Sequence, residues 1–222
     1  MAKEMIDQKK KEKLRKIERD KYTSWYYENE YWKEDNPNAQ NDRYQYNDSD
    51  HSKRFNFLTH LITSNFEFST FLDAGCGMGH LIKNLIKKGY TAKGVEVSKD
   101  ALKEYLSDLT PHTVLEAGVE NLPFQDNSFD IVMCLDVMEH VPPFDVEEAI
   151  SELIRVAKSY IVLTINLDNP YEYHPSMFTR DEWEKMFLKN KNISQSHKIQ
   201  ESVEKQCKQR YPEYDFFIFK KG

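Results

Sequence analysis

The fold of this chain is decided by the stretch Phe71-Leu72-Asp73-Ala74-Gly75-Cys76-Gly77-Met78-Gly79-His80-Leu81. A short apolar run ends in a carboxylate and gives way to alternating glycines before a helical pattern begins. Glycine turns the backbone at low steric cost and lets a ligand approach the main chain closely. The start of the following helix offers unpaired N–H groups and the positive end of a dipole. The stretch therefore predicts a strand–loop–helix corner that binds a nucleotide-like molecule carrying a negative group.

An acidic residue follows about twenty positions after this loop, at the end of the next predicted strand, Gly94-Val95-Glu96-Val97. In open α/β folds, a carboxylate at this position binds the hydroxyls of a ribose. The glycine spacing, G-x-G-x-G, departs from the G-x-G-x-x-G fingerprint of dinucleotide-binding proteins. The glycines alone therefore do not decide the ligand, and residues further along the chain must.

Two further motifs lie where later strand–helix units of the same fold are expected to end. These motifs are Glu120-Asn121-Leu122-Pro123-Phe124 and Leu135-Asp136-Val137-Met138-Glu139-His140-Val141. With the glycine loop and Glu96, they resemble the class I S-adenosylmethionine-dependent methyltransferases, especially the small-molecule branch that contains the ubiquinone and sugar methyltransferases. The resemblance covers residues 71–141 well and is looser toward the C-terminus.

Strand patterns alternate with helical patterns along the chain, which indicates a parallel sheet wound by right-handed crossovers. The resemblance implies an α/β, Rossmann-like, doubly wound and mostly parallel seven-stranded sheet whose last strand is antiparallel. Residues 1–54 are predicted to form an N-terminal helical arm and aromatic lid, and residues 55–222 the methyltransferase domain. The predicted strands are 70–73, 92–97, 113–116, 131–135, 160–164, 193–199 and 216–219, and the predicted helices are 2–20, 55–64, 80–88, 100–109, 146–157 and one capped by Thr179.

Composition and charge exclude several classes of protein. The chain has 222 residues, of which 39% are hydrophobic, so it suits one folded domain with an appendage. Residues 1–21 hold nine basic and five acidic residues, whereas the rest holds 22 basic and 32 acidic ones. An acidic body disfavours nucleic acid as a substrate. The basic arm is interpreted mainly as a solvated helix, although contact with an anionic partner or formation of a homodimer stays open.

Cellular location is predicted from apolar runs and cysteines. No apolar run approaches the length of a membrane span and no signal peptide is evident, so no membrane association is expected. The three cysteines form no C-x-x-C pair, which indicates a reducing environment and argues against a structural zinc site. We therefore expect a cytoplasmic protein.

The resemblance implies S-adenosyl-L-methionine as cofactor and S-adenosyl-L-homocysteine as product. Backbone N–H groups of the glycine loop would bind the cofactor carboxylate, Asp73 its amino group and Glu96 both ribose hydroxyls. Many family members carry an acid that binds the adenine amino group where this chain has Gly118. Whether Val119, Glu120 or Asn121 takes over that contact stays open. The residues predicted to bind the cofactor are Asp73, Gly75, Cys76, Gly77, Gly79, His80, Glu96, Val97, Val119, Glu120, Asn121 and Leu135.

The candidate catalytic residues follow the fourth predicted strand, where open α/β sheets bind substrate. Asp136, Glu139 and His140 lie there, and His140 is the first choice for a general base because imidazole titrates near neutrality. The alternative is that His140 only packs near the cofactor.

His174 follows the fifth predicted strand, so it is expected to face the same group of residues. Some ubiquinone O-methyltransferases and small-RNA 2′-O-methyltransferases pair a similar E-x-x-E-H motif with a later histidine to hold a divalent ion. That resemblance makes a metal site possible here but disfavoured. We predict no metal, and expect His174 to contact substrate or act as a second base.

Three functions therefore stay open. The favoured one is O- or N-methylation of a small-molecule acceptor such as a sugar or a quinone precursor. The others are an RNA 2′-O-methyltransferase with a metal-assisted site and a non-catalytic, cofactor-binding partner subunit. Asn169-Pro170-Tyr171 lacks the second proline of the motif used by base-amino methyltransferases. Tyr26, Tyr44 and Arg54, in or near the lid, are candidates for contact with substrate or cofactor.

Overall fold

The computed structural model describes residues 8–29, 48–167, 174–208 and 215–222. Tyr44 and the Asn169-Pro170-Tyr171 segment lie outside these ranges. The helices are α1 (Gln8–Arg19), α2 (Ser24–Asn29), α3 (Asp48–Asn65), α4 (His80–Lys87), α5 (Lys99–Glu104), α6 (Val146–Val156), α7 (Arg180–Leu188) and α8 (His197–Cys207), with a 3₁₀ turn at Met138–His140. The strands are β1 (Thr70–Ala74), β2 (Thr91–Glu96), β3 (Val114–Glu116), β4 (Phe129–Leu135), β5 (Ala157–Thr164), β6 (Ile193–Gln195) and β7 (Phe216–Lys221).

The strands form one seven-stranded sheet in the order β3-β2-β1-β4-β5-β7-β6. The five strands from β3 to β5 are parallel, and β7 runs antiparallel between β5 and β6. The predicted fold class, including the antiparallel last strand beside β5, is confirmed. The strand order reverses between β1 and β4, and ligands of open α/β sheets bind outside the carboxyl ends of strands at such a point.

Helices cover both faces of the sheet and bury its apolar strands. On one face α4 buries Leu81, Ile82 and Leu85, while on the other α6 buries Ala149 and Leu153. Strands covered on both faces are expected to carry continuous apolar runs, as β4 and β5 do. The two faces hold separate apolar clusters, so the sheet is a rigid platform for the groups at its carboxyl edge.

Several predicted boundaries differ from those observed. The strand predicted over 193–199 ends at Gln195, and α8, which was not predicted, begins at His197. Ile199, Val203 and Cys207 recur every fourth residue and pack together against the sheet, so helical burial prevails over a longer strand. The helix predicted over 100–109 ends earlier, at Glu104. The capping box of Thr179 at the start of α7 is confirmed.

Membrane crossing was assessed on the helices of the described ranges. None of them combines the length and the apolar character that a bilayer span needs.

Candidate active site

The glycine loop between β1 and α4 needs its glycines for backbone conformation and for space. Gly75, Gly77 and Gly79 have φ values of 86°, 51° and 72°, in the left-handed region that other residues rarely occupy. A Cβ added at Gly75 would lie 2.5 Å from Cγ2 of Val137. The loop therefore turns tightly against the segment that follows β4, and it forms one wall of the crevice at the strand-order reversal.

The N–H groups of this loop are used within the protein. Those of Gly75 and Cys76 donate to the carbonyl of Val95, at 3.0 and 2.9 Å. The N–H of Gly79 donates to the carbonyl of Cys76, at 2.8 Å, and that of Gly77 to the Glu96 carboxylate. The expectation that these four groups bind a cofactor carboxylate is therefore not met by their hydrogen bonds in this structure. These N–H groups instead form the hydrogen bonds of the turn itself. The loop shapes the crevice wall and leads into α4, which begins at His80.

Glu96 lies at the carboxyl end of β2, and several hydrogen-bond donors hold its side chain. Its Oε2 accepts from the N–H of Gly77 at 2.8 Å. Its Oε1 accepts from the N–H of Ser98 at 2.8 Å and from the hydroxyl of Tyr27 at 3.3 Å. Burial raises the pKa of the Glu96 carboxyl, and these hydrogen bonds partly oppose that rise. These hydrogen bonds fix the orientation of the carboxylate.

Asp73 lies at the end of β1, on the strand adjacent to Glu96. Its side chain is buried, and in register Asp73 pairs with Gly94 of β2 and Met133 of β4. Burial, and secondarily the charge of Glu96, raise the pKa of Asp73 to about 7. A ligand cation placed beside two buried carboxylates would stabilise their charged forms.

The other predicted cofactor residues divide between the crevice and its surroundings. Val97, Val119 and Leu135 line the crevice and give it an apolar surface. Glu120 lines it too and forms an ion pair with Arg19 of α1. Asn121, by contrast, is exposed and lines a neighbouring groove. Cys76 is buried against Gly94, as expected for a residue that fills space in the loop.

Asp136 occupies a constrained position just after β4. Its φ is 51°, in the left-handed region. Its Oδ1 accepts from the hydroxyl of Thr164 at 2.6 Å, and its Oδ2 forms an ion pair with Arg54 at 3.2 Å. Because both carboxylate oxygens are engaged, Asp136 is better suited to orienting neighbours than to removing a proton. The sequence analysis named Arg54 as a candidate for contact with substrate or cofactor, not as a partner of Asp136, and it missed Thr164, which belongs to no motif.

The structure brings His140 and His174 together, as the topology of the sheet predicted. Their ring centroids lie 4.7 Å apart with the ring planes at 77°. The segment that follows His174 is tied to the 3₁₀ turn, because Ser176 donates through its N–H to the carbonyl of Glu139 at 3.1 Å. It also donates through its hydroxyl to the carbonyl of Val141 at 2.5 Å. His140 lines the crevice, so its imidazole can contact a molecule bound there.

Glu139 completes a group that has the composition of a metal site. One potential ligand atom from each of Glu139, His140 and His174 lies within 4.8 Å of the others. Two imidazoles and a carboxylate are ligands that suit several divalent transition metals. Glu139 is also engaged structurally, since its Oε1 accepts from the N–H of Asn166 at 2.8 Å. Asp136 does not join this group, contrary to the D-x-x-E-H arrangement considered from the sequence, because Thr164 and Arg54 hold its carboxylate.

The N-terminal helices cover the crevice and add residues that sequence reasoning missed. Arg15 of α1 makes two hydrogen bonds of 2.6 Å with Asp145, whose side chain is fully buried. Tyr22 lines the crevice and packs edge-on against the ring of His140, with 5.6 Å between centroids. Tyr26 and Tyr27 are buried against the loop residue Met78. The sequence signals for this contact were the opposite charges of the arm and the body and the aromatic residues of the predicted lid, among which Tyr26 was named.

Known proteins resemble this chain in sequence and in fold. Residues 72–163 match a family model described as a methyltransferase domain. An uncharacterized protein of Methanocaldococcus jannaschii is 33% identical over 101 residues, which are 44% of this chain and 41% of that protein. The ubiquinone biosynthesis O-methyltransferase of Aeromonas salmonicida is 32% identical over 114 residues, which are 46% of this chain and 45% of that protein. The chain thus matches less than half the length of these curated relatives.

The fold likeness extends further than the sequence likeness. The crystal structure of magnesium protoporphyrin IX methyltransferase from Synechocystis PCC 6803 with bound SAH superposes with a TM-score of 0.61. Sequence identity is 15%, and the superposition covers 94% of this chain and all of that one. Residues 72–163 match the methyltransferase-domain family model, and the predicted resemblance to class I S-adenosylmethionine-dependent methyltransferases is confirmed.

Proposed function

We propose that this protein is an S-adenosylmethionine-dependent methyltransferase that transfers a methyl group to a hydroxyl, or an amine, of a small metabolite. A sugar or a quinone precursor is the class of acceptor we favour, in keeping with the ubiquinone O-methyltransferase among the relatives. One observation carries the proposal. Two buried carboxylates, Asp73 and Glu96, lie on adjacent strands beside a loop of left-handed glycines, and Glu96 lines the crevice.

Three parts of S-adenosylmethionine have a matching group in or beside this crevice. Asp73 pairs with the amino group of the methionine moiety, and Glu96 accepts hydrogen bonds from the ribose hydroxyls. Val97 and Val119 pack against the adenine ring. The arm, predicted over residues 1–54, acts as a lid through its described helices, because Tyr22, Tyr26 and Tyr27 close the crevice from above.

Methyl transfer is an in-line displacement at the methyl carbon. The acceptor oxygen forms a bond to that carbon while the carbon–sulfur bond breaks, and sulfur keeps the electron pair and loses its positive charge. The protein's main task is alignment, which lowers barriers by roughly 7–11 kcal/mol when reactants are well oriented. His140 takes the proton of the acceptor hydroxyl, a role that adds roughly 10²–10⁴-fold to the rate. His174, at ring-contact distance, positions the imidazole or the acceptor.

The proposal is tested by supplying purified protein with a donor carrying an isotopically labelled methyl group and with fractionated metabolite pools. We expect label to appear in a small hydroxyl- or amine-bearing product, together with S-adenosylhomocysteine. The variant His140→Gln serves as the matched control and should transfer little label. If the protein retains the donor but labels no pool, the non-catalytic partner subunit is the better description.

A second function is favoured by the group of Glu139, His140 and His174. These residues could hold a divalent ion, which would supply Lewis-acid chemistry to an acceptor hydroxyl. The protein would then be a metal-assisted RNA 2′-O-methyltransferase. Titration with Mn²⁺ followed by magnetic resonance tests for the ion directly. A chelator-treated protein that keeps full turnover would exclude this function.

A further inference from the structure

Tyr22 lies in the turn between α1 and α2, and this turn is fixed to the start of α5. The hydroxyl of Ser98, the N-cap residue of α5, donates to the carbonyl of Tyr22 at 2.5 Å. Two residues after Tyr22, the N–H and the hydroxyl of Ser24 donate to the Asp100 carboxylate, at 2.9 and 3.2 Å. The backbone of Tyr22 is therefore held by the body of the protein, although Tyr22 belongs to the arm.

The ring of Tyr22 contacts rings on α2 and on the 3₁₀ turn. It packs edge-on against Tyr26, with 5.1 Å between centroids and 89° between ring planes. It packs edge-on against His140 as well, at 5.6 Å and 87°. Aromatic rings prefer this edge-to-face arrangement, so the contact favours one orientation of the imidazole. His174 contacts the same imidazole at 4.7 Å, so His140 lies beside one ring from the arm and another from the body.

Ser98 also connects Tyr22 to Glu96, the proposed acceptor for the ribose hydroxyls. The N–H of Ser98 donates to Oε1 of Glu96 at 2.8 Å, while its hydroxyl donates to the Tyr22 carbonyl. Ser98 is 1% exposed and Glu96 is 4% exposed, so both are shielded from water. A continuous series of contacts therefore leads from Glu96 through Ser98 and Tyr22 to the imidazole of His140.

We propose that Tyr22 is a positioning residue for His140: its ring orients the imidazole toward the acceptor hydroxyl, and Ser98 fixes that ring relative to the S-adenosylmethionine site. The inference rests on the proposed function, in which His140 takes the proton of the acceptor. A general base must lie within hydrogen-bond reach of that proton. A misplacement of about 1 Å can lower the rate by about hundredfold. The arm thus contributes to the chemical step in addition to covering the crevice.

The first experiment measures single-turnover methyl transfer by the full chain at saturating S-adenosylmethionine, with the metabolite fraction that accepts the label. Tyr22→Leu removes the ring, so the rate should fall by about tenfold to hundredfold. Tyr22→Phe keeps the ring and should restore most of the rate. Lys13→Gln, an exposed change on α1, is the control and should transfer at the wild-type rate. Affinity for S-adenosylhomocysteine, measured by calorimetry, should change less than the rate in each Tyr22 variant.

A double-mutant cycle tests the connection through Ser98. Ser98→Ala should lower the rate because the Tyr22 carbonyl loses its hydrogen-bond donor, whereas Ser98→Thr keeps a hydroxyl and should restore most of the rate. Ser98→Ala also removes the cap of α5, since the side chain accepts from the N–H of Ala101 at 3.1 Å. If Ser98 acts through Tyr22, adding Ser98→Ala to Tyr22→Leu should cause little further loss of rate. Additive losses would show that Ser98 does not act through Tyr22.

Nuclear magnetic resonance of the histidine rings tests the contact without an acceptor. The chain has seven histidines, and the signal that is missing from His140→Gln identifies His140. Tyr22→Leu should shift this signal because the ring current of Tyr22 is lost, and Tyr22→Phe should keep it near its wild-type position.

Two kinds of failure can be told apart. If Tyr22→Leu transfers as fast as the wild type, or if Tyr22→Phe is as slow as Tyr22→Leu, this inference alone is wrong. If the His140 signal is unmoved in Tyr22→Leu, the contact does not exist in solution and the inference is again wrong. A wild-type protein that transfers no methyl group refutes the proposed function, and this inference with it.

Discussion

Replacing Glu96 by Gln perturbs the best-defined contact of the site. A Gln side chain can keep one oxygen where Oε1 accepts from Ser98 and Tyr27, and its NH₂ then faces the N–H of Gly77. One buried donor is left without an acceptor, which costs about 1–3 kcal/mol of unfolding free energy. For a chain of this size that lowers Tm by roughly 2–12 °C. The ribose of S-adenosylmethionine also loses a charged hydrogen-bond acceptor, so the affinity of the protein for this molecule should fall by about tenfold to hundredfold.

Calorimetry with S-adenosylhomocysteine and thermal unfolding measure the two effects separately. Glu116→Gln is the matched control, because Glu116 is the register partner of Glu96 on β3 and its side chain is 55% exposed. We expect the control to change neither quantity. If Glu96→Gln lowers Tm but binds the ligand as tightly as the wild type, the carboxylate only supports the loop. The assignment of Glu96 to the ribose would then be refuted.

Three other predictions concern the charge of Asp73, the base and the arm. Because the pKa of Asp73 is raised to about 7, donor affinity should fall as the pH drops below about 7, and Asp73→Asn should remove this dependence in calorimetric titrations. The free energy of unfolding should depend on pH in the opposite direction, because burial disfavours the charged form of Asp73 in the folded state. The contribution of Asp73 to the free energy of unfolding therefore falls as the pH rises from 3.8 toward about 7. His140→Gln should lower turnover by roughly 10²–10⁴-fold while donor affinity stays unchanged, as single-turnover and binding measurements would show. Arg15→Gln leaves the buried Asp145 without its charged partner, so limited proteolysis should cleave the arm faster than in the Lys13→Gln control.

Features set by neighbouring residues could be predicted from the sequence. The corner from β1 to α4 follows from an apolar run and three glycines, and the start of α7 from the spacing of Thr179 and Glu182. The meeting of His140 and His174 is a consequence of topology, because the carboxyl ends of adjacent parallel strands share one edge of the sheet. Here local pattern and overall fold agree.

Features set by tertiary packing could not be predicted. Helix α8 has only a few apolar residues on one face. Their spacing indicates a helix only when it is known that this face is buried. The arm's contacts with the body join residues 130, 101 and 69 positions apart, in the pairs Arg15–Asp145, Arg19–Glu120 and Tyr27–Glu96. No periodicity encodes such pairs. The hydrogen bonds that occupy the loop N–H groups likewise depend on how β2 lies beside the loop.

Equilibrium dialysis of the purified protein against labelled S-adenosylmethionine tests the central claim most directly. A crevice lined by Glu96 and the glycine loop, with Asp73 buried on the adjacent strand, should retain one molecule of S-adenosylmethionine for each chain, and unlabelled S-adenosylhomocysteine should displace it. A protein that retains no label, with its fold intact by circular dichroism, would contradict the account.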